Sequence, residues 1–110
     1  MNPTRFRPDP NLSFIIKVNG EIVPAMPDDA EFSIQELRDY VAGPPEFLCE
    51  TRDGFLQFHN KESRNRNLGL NEAATALYPQ PPDKIIRVYG RVFLAHPAHV
   101  APYWRKYRSS

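Results

Sequence analysis

Two pairs of short β-rich runs, each joined by a glycine turn, constrain the fold of this chain most. LSFIIKV meets EIVP across Asn19-Gly20, and EFLCET meets FLQFHN across Arg52-Asp53-Gly54. β-Branched and aromatic residues favour strands, and the Asn-Gly pair tolerates the two positive φ angles of a type I′ turn. In the second connection, the glycine suits the position where a positive φ is commonly needed. The sequence therefore predicts two antiparallel hairpins, the first with a type I′ turn.

A capping box predicts the first helix. Ser33 and Glu36 have the spacing at which the serine side chain accepts a backbone amide and the glutamate reaches back. Gly43, followed by Pro44-Pro45, supplies a C-terminal glycine and a stop. Apolar residues recur between these ends at helical spacing: Ile34, Leu37 and Val41. We therefore expect a helix at about residues 33 to 42.

A second, shorter helix is predicted by Asn71 and the run EAATAL that follows it. The asparagine side chain can accept a backbone N–H that the first helical turn leaves unpaired, which makes Asn71 the expected N-cap. Glu72 suits the positive end of the helix dipole, and Pro79 prevents the helix from continuing.

The longest β-rich run, KIIRVYGRVFLA, contains Gly90 near its middle. A glycine within a strand pattern indicates a bulge or the close approach of another backbone, and it can also divide the run into two strands. The sequence leaves these alternatives open.

Together these elements predict a single α+β domain at residues 12–95, with an antiparallel sheet of about five strands and two short helices on one face. Residues 1–11 contain three prolines and are expected to form an extended arm. Residues 96–110 are expected to form a basic aromatic tail.

The single cysteine, Cys49, excludes an internal disulfide and with it a secreted disulfide scaffold. Cys49 lies inside a strand-like run, where a small buried hydrophobe is expected more often than a nucleophile. No apolar run has transmembrane length, and the N-terminal residues lack the apolar core of a signal peptide. We therefore expect a cytoplasmic protein with no membrane contact.

Charge is distributed unevenly along the chain. Residues 1–57 hold five Lys/Arg and ten Asp/Glu, whereas residues 58–110 hold nine and three. The second half could face an anion, or the two halves could neutralise each other in the folded domain. Both interpretations stay open at this point.

The segment KESRNRN contains no apolar residue and is typical of an exposed loop ahead of the second helix. Arg64 and Arg66 in this loop could hold an anion beside the helix N-terminus, and the alternative is a solvated polar loop. The candidate ligand-binding residues are Asn60, Arg64, Arg66, Asn71, Arg87 and Arg91.

The tail HPAHVAPYWRKYRSS mixes aromatic and basic residues, which is typical of contacts with nucleic acid or another anionic partner. Large aromatic side chains also dock on their own domain, and that alternative stays open. The candidate contact residues of the tail are Tyr103, Trp104, Arg105 and Arg108.

Motifs for catalysis are missing from the sequence. His59, His96 and His99 have no Cys or acidic partner at a recognised metal-binding spacing. There is no glycine-rich phosphate loop and no nucleophile elbow, and the scattered carboxylates Glu46 and Glu50 do not by themselves make an acid/base pair. We therefore predict no catalytic residue, no metal and no cofactor, and a protein that acts by binding.

The order of the motifs VAGPPEFL, DGFLQFHN, LGLNEAATALY and VYGRVFLA resembles a family of short uncharacterised bacterial, plasmid and phage proteins, a domain of unknown function. The resemblance covers about Val18 to Leu94. Family members continue the strand-end asparagine with acidic residues and a glycine, whereas Lys61-Glu62-Ser63-Arg64 follows Asn60 here. The matching residues are Gly43, Glu46, Asn60, Leu68, Asn71, Ala74, Leu77 and Gly90.

The resemblance implies a small accessory protein of a phage or mobile element. Combined with the basic loop, it suggests a protein that sequesters an anionic, nucleotide-like ligand or inhibits a host defence component. The expected partner is thus an anionic small molecule or a host protein, and a homo-oligomer is one open possibility. Nucleic-acid binding through the basic second half is the alternative function, and an enzyme whose site the sequence does not reveal is a third class.

Overall fold

Five strands, two α-helices and a short 3₁₀ helix (Pro97–His99) make up the computed structural model, which describes residues 12–100. The strands form one sheet in the order β2-β1-β5-β4-β3, and every neighbouring pair is antiparallel. This architecture confirms the predicted α+β fold with an antiparallel sheet of five strands. None of the helices in the described part is long and apolar enough to cross a membrane. The elements are β1 (Ser13–Ile16), β2 (Ile22–Ala25), α1 (Ile34–Val41), β3 (Pro45–Glu50), β4 (Leu56–Asn60), α2 (Glu72–Leu77) and β5 (Val92–Ala95).

The two helices cover opposite faces of the sheet, so the expectation of two helices on one face is wrong. On one face Leu37 and Val41 of α1 pack with Phe58 and Phe93. On the other face, Ala73 and Leu77 of α2 pack with a second cluster of apolar side chains. This cluster contains Phe14, Ile16, Phe55 and Leu94. The physical reason is that β1 and β5 read SFII and VFLA, which are apolar on both faces, and each face must be covered.

Both hairpins turn through three residues. In the first, the amide of Gly20 donates to Lys17 O at 3.0 Å, and the amide of Lys17 donates to Glu21 O at 2.9 Å. Gly20 has a φ of 92°, whereas the φ of Asn19 is not positive. The predicted type I′ turn is therefore wrong. A three-residue loop needs only one left-handed residue, which glycine supplies without a steric cost.

The first helix begins at its predicted capping box and ends differently from the prediction. Both hydrogen bonds of the box are present between Ser33 and Glu36. The left-handed residue at the C-terminus is Ala42, with φ of 60° and ψ of 40°. Gly43 is required for another reason, since a Cβ there would clash with Nδ2 of Asn60.

Asn71 is the N-cap of α2, as predicted, and it also joins three parts of the chain. Its Oδ1 accepts from the amide of Ala74 at 3.0 Å, while its Nδ2 donates to Ile16 O at 3.0 Å and to Gly90 O at 2.9 Å. The side chain is completely buried. Asn71 therefore satisfies backbone groups of β1, of α2 and of the segment before β5 at once.

Gly90 separates two short pairings within the predicted β-rich run. Only Val92–Ala95 belongs to the sheet, and Tyr89 forms an isolated bridge with Leu70. The amide of Gly90 donates to Gly69 O at 2.8 Å, and a Cβ at Gly90 would meet the Leu68 side chain at 3.2 Å. Of the open alternatives the structure therefore has two: Gly90 divides the run, and the backbone of Gly69 approaches it closely.

Residues 96–100, the first five of the predicted tail, pack on the domain through Ser13. The buried Ser13 Oγ accepts from the amide of His96 at 2.8 Å and lies 2.9 Å from Nδ1 of His99. The carbonyl of His99 accepts from the amide of Phe32 at 2.8 Å, and Val100 is buried in the core below α1. Tyr103, Trp104, Arg105 and Arg108, together with the arm at residues 1–11, lie outside the described residues.

Replacing Asn71 with Ala should lower the free energy of unfolding by about 2 to 4 kcal/mol. The lost cap accounts for about 1 kcal/mol, and buried carbonyls left without a donor for about 1 to 3 kcal/mol. Urea denaturation measures the effect, with Asn65→Ala on the exposed loop as the matched control. An unchanged midpoint for Asn71→Ala would contradict the role of this side chain.

Acid should destabilise the packing of residues 96–100. Burial, and to a lesser degree the neighbouring His96, lowers the pKa of His99. The folded protein therefore binds fewer protons at His99 than the unfolded chain does. The contribution of His99 is complete above its unfolded pKa of about 6.5 and is lost as the pH falls below that value.

The variant His99→Asn removes this titration. We expect its free energy of unfolding to fall less than that of the original protein between pH 8 and pH 5. At pH 8, where the imidazole is neutral in both states, the difference between the two proteins reports packing alone. If the free energies of unfolding of the two proteins differ by the same amount from pH 8 to pH 5, the titration of His99 does not contribute to stability.

Candidate functional site

A cleft of about 360 Å³ opens beside the edge strand β3. It lies on the sheet face that α2 covers, because His59 shares that face with Gln57, whose Nε2 donates to Ala74 O of α2. The lining comes from β3, the end of β4, the loop after β4 and the segment before β5. Its polar and aromatic residues include Glu46, His59, Lys61, Arg64, Arg87 and Tyr89.

The loop after β4 has a fixed conformation, although its side chains are exposed. The amide of Lys61 donates to Pro44 O at 2.8 Å, and the amide of Ser63 donates to Asn60 O at 3.0 Å. Ser63 is only 2% exposed, so the loop turns around a buried residue. Asn60 anchors the start of the loop, since its Oδ1 accepts from the amide of Glu62 at 2.8 Å.

Three cations line the cleft without neutralisation. Lys61, Arg64 and Arg87 are all exposed. Within residues 12–100, no carboxylate lies within ion-pair distance of any of them. The guanidinium carbon of Arg64 lies 5.7 Å from the ring centroid of Tyr89, a cation–π distance. The cleft therefore presents positive charge next to an aromatic ring.

Glu46 is the one carboxylate among the described residues that line the cleft, and it forms a hydrogen bond with His59. Nε2 of His59 lies 2.8 Å from Oε1 of Glu46, and the side chains are 15% and 19% exposed. An ionised carboxylate can only accept hydrogen bonds, so the nitrogen beside it carries the proton. Nδ1 of His59 has no hydrogen-bond partner among residues 12–100. The carboxylate of Glu46 is thus hydrogen-bonded to His59. Nδ1 of His59 stays without a hydrogen bond to the described residues.

A β-bulge brings this pair together. The register of β3 against β4 shifts between Phe47 and Cys49, so that Glu46 faces His59. If the two strands paired regularly, with Leu48 opposite Phe58, Glu46 would face Asn60 and Phe47 would face His59. The side chains of Glu46 and His59 would then lie on opposite faces of the sheet.

Two of the six candidate ligand residues, Arg64 and Arg87, line the cleft together. Arg66 is exposed on the same loop but does not line it. Arg91 lies elsewhere, where its Nε donates to Tyr40 O at 2.6 Å and its guanidinium donates to Asp39 O at 2.9 Å. Arg91 therefore satisfies carbonyl groups near the C-terminus of α1.

The remaining candidates, Asn60 and Asn71, are completely buried. Nδ2 of Asn60 donates to Ala42 O at 3.0 Å, and all three hydrogen bonds of the Asn71 side chain go to backbone groups. Residues of α2 do not contribute to the cleft lining. The lining of the cleft therefore includes neither asparagine and does not depend on a helix N-terminus.

Sequence reasoning did not select Lys61, Tyr89 or the pair Glu46–His59. Lys61 lies three residues before Arg64 on the same loop, and Tyr89 lies two residues after Arg87. Side chains two residues apart in an extended segment point to the same side, and this signal could have identified Tyr89. The pair depends on the bulge, for which the sequence carries no clear signal.

Cys49 does not have the properties of a nucleophile. Burial raises the pKa of the Cys49 thiol to about 12, so the thiol keeps its proton at neutral pH. Its Sγ lies 3.5 Å from Oε1 of Gln57 and donates to it. The described part of the chain contains no group of three His, Cys, Asp or Glu side chains placed to hold a metal ion.

Comparison of the chain with models of protein families, with curated proteins and with solved structures gave no match. The resemblance to a family of phage and plasmid proteins therefore stays a prediction. A functional assignment has to come from the chemistry of the cleft itself.

Proposed function

We propose that this protein binds an anionic, nucleotide-like ligand in the cleft beside β3. The observation that carries the proposal is the arrangement of Lys61, Arg64 and Arg87, three cations without a carboxylate partner in the described structure, around one cleft. The cleft volume of about 360 Å³ falls in the range of about 300 to 1,000 Å³ that is usual for small-molecule sites.

The lining suits a phosphate-bearing molecule. The planar guanidinium groups of Arg64 and Arg87 can each donate two parallel hydrogen bonds to phosphate oxygens, and Lys61 adds a point charge. Tyr89 and the guanidinium of Arg64 offer flat faces on which a nucleobase can stack. Glu46 repels an anion less than a free carboxylate would, because His59 donates a hydrogen bond to it.

The biological setting we propose is a small accessory protein of a phage or mobile element. It would sequester a nucleotide-like ligand in the cytoplasm or, through that ligand, inhibit a host defence component. This setting is supported by the resemblance of the motif order in the sequence. The binding activity is supported separately, by the charges and the aromatic ring of the cleft.

Ligand binding should raise the thermal stability of the purified protein. A ligand that binds only the folded state stabilises it by about 2.7 kcal/mol at a concentration of 100 Kd. A suitable panel contains cyclic dinucleotides, ADP and ADP-ribose, with uncharged adenosine as the control for the phosphate groups. We expect a shift in melting temperature with at least one phosphorylated member and none with adenosine.

Substitution of the cleft arginines should separate binding from folding. Arg64→Ala and Arg87→Ala each remove charge-assisted hydrogen bonds worth about 1.5 to 3 kcal/mol, which lowers affinity more than tenfold per variant. Both residues are exposed, so the unfolding midpoint should change little. Arg66→Ala is the matched control, because Arg66 is exposed on the same loop outside the cleft. Isothermal titration calorimetry with the ligand found in the panel measures the three affinities.

Three results would count against the proposal. A flat thermal response to the whole panel would show that the protein does not bind such ligands. Equal affinities for the Arg64→Ala, Arg87→Ala and Arg66→Ala variants would place the site outside this cleft. Binding of oligonucleotides alone, with affinity that falls steeply as salt rises, would favour a nucleic-acid-binding module instead.

A further inference from the structure

Anion binding leaves the pair of Glu46 and His59 unexplained. A carboxylate in the lining opposes a negatively charged ligand, yet Glu46 lies in the cleft at 19% exposure. The pair is held in a defined position, because the two residues are cross-strand partners on β3 and β4 next to a bulge. A bulge beside a cleft is a common device for aiming a side chain. The arrangement therefore calls for a role of its own.

The geometry matches a general base with its orienting carboxylate. Glu46 accepts from Nε2 of His59 at 2.8 Å, which fixes the ring, and in the neutral form of the imidazole this places the single N–H on Nε2. Nδ1 then carries a lone pair, and it has no hydrogen-bond partner in the described structure. A carboxylate, an imidazole and an unused nitrogen in that order are the parts that activate a nucleophile by proton abstraction.

We propose that the protein hydrolyses a phosphoanhydride bond of the ligand that it binds, with His59 as the general base and Glu46 as the residue that positions it. This inference rests on the proposed binding of a phosphate-bearing ligand in the same cleft. The substrate class is a nucleoside diphosphate or a nucleoside diphosphate linked to a sugar.

The reaction step is a displacement at phosphorus by water. Nδ1 of His59 takes one proton from the water molecule, and the water oxygen forms a new bond to phosphorus. The bond from phosphorus to the bridging oxygen breaks, and its electron pair leaves with that oxygen as a phosphate anion. The imidazolium then releases its proton to solvent. For ADP-ribose the balance is ADP-ribose plus water to AMP plus ribose 5-phosphate.

The composition of the cleft favours an anhydride over a simple phosphate ester. An alkoxide leaving group needs a proton as the bond breaks, whereas a phosphate leaves as an anion that cations can stabilise. Lys61, Arg64 and Arg87 supply three positive charges for the two phosphoryl groups. His59 supplies one proton acceptor, which is the only proton transfer that such a substrate requires.

Phosphorus-31 NMR provides the test. The full-length protein is incubated with ADP and with ADP-ribose in buffer containing EDTA, which suppresses contaminating metal-dependent phosphatases, and affinity is measured in parallel by calorimetry. We expect the pyrophosphate signals of a bound anhydride to be replaced by phosphomonoester signals. In water enriched in oxygen-18, one product phosphate should carry the label. Cyclic AMP, which has no anhydride bond, should stay intact.

The variants separate a catalytic role from a structural one. His59→Gln should lower turnover by about 10²- to 10⁴-fold, the usual contribution of a general base, with ligand affinity retained. Glu46→Gln should lower kcat while the dissociation constant stays unchanged, because it alters the imidazole and not the cations. Glu50→Gln is the matched control: it lies on the same strand, pairs with Leu56 and is outside the cleft. Added imidazole should restore part of the activity of His59→Ala.

The outcomes distinguish failure of the inference from failure of the proposed function. If the protein binds an anhydride and leaves it intact, this inference is wrong and the proposed binding function stands. Turnover by His59→Gln at the original rate would likewise overturn the inference. If no phosphate-bearing ligand binds, the proposed function fails, and the inference fails with it. If a variant unfolds, its circular dichroism spectrum shows this, and imidazole rescue of His59→Ala decides the role of the ring.

Discussion

Two buried asparagine side chains, each satisfied by backbone groups, fix the loop on which the cleft depends. Asn60 holds the start of the loop through Ala42 O and the amide of Glu62. Asn71 holds its end through carbonyls of β1 and of the segment before β5, and it also begins α2. Unpaired polar groups in the core would cost about 1 to 3 kcal/mol each, so the loop has little freedom to shift. Rigid ends allow a polar, exposed loop to present Lys61 and Arg64 at fixed positions.

The position of the cleft follows from how the sheet is covered. The central strands β1 and β5 are apolar on both faces, and α1 and α2 pack on opposite sides of them. The second helix has only six residues and packs over the middle of the sheet, so it does not line the cleft at the β3 edge. The segment before β5, pinned by the bridge between Leu70 and Tyr89, forms the opposite wall. Cations from two loops thereby meet over one sheet edge.

Local signals in the sequence predicted local structure well. The capping box at Ser33, the N-cap at Asn71 and the positions of the two glycine turns all depend on residues a few positions apart, and the structure has each of them. The type I′ geometry predicted for the first turn is the exception, since only Gly20 there has a positive φ. Which face of the sheet each helix covers depends on long-range packing. The Glu46–His59 pair depends on strand register. Leu48 shifts that register by one residue, and a shift of one residue exchanges the two faces of a strand. Composition therefore pointed to two arginines of the cleft, Arg64 and Arg87, together with two that lie outside it, whereas the Glu46–His59 pair was not predictable.

The described structure shows where several of the cations of the chain lie. Lys17 pairs with Glu21 within the first hairpin, and Arg91 meets the carbonyl end of α1, where the helix dipole favours a cation. Three cations of the second half stay unpaired around the cleft: Lys61, Arg64 and Arg87. Like charges close together raise the free energy of the unliganded protein, and solvent and salt only partly screen them. An anion bound in the cleft as we propose would offset this repulsion in addition to forming its own hydrogen bonds. The proposed binding would then gain from relief of the repulsion between these cations as well as from direct hydrogen bonds.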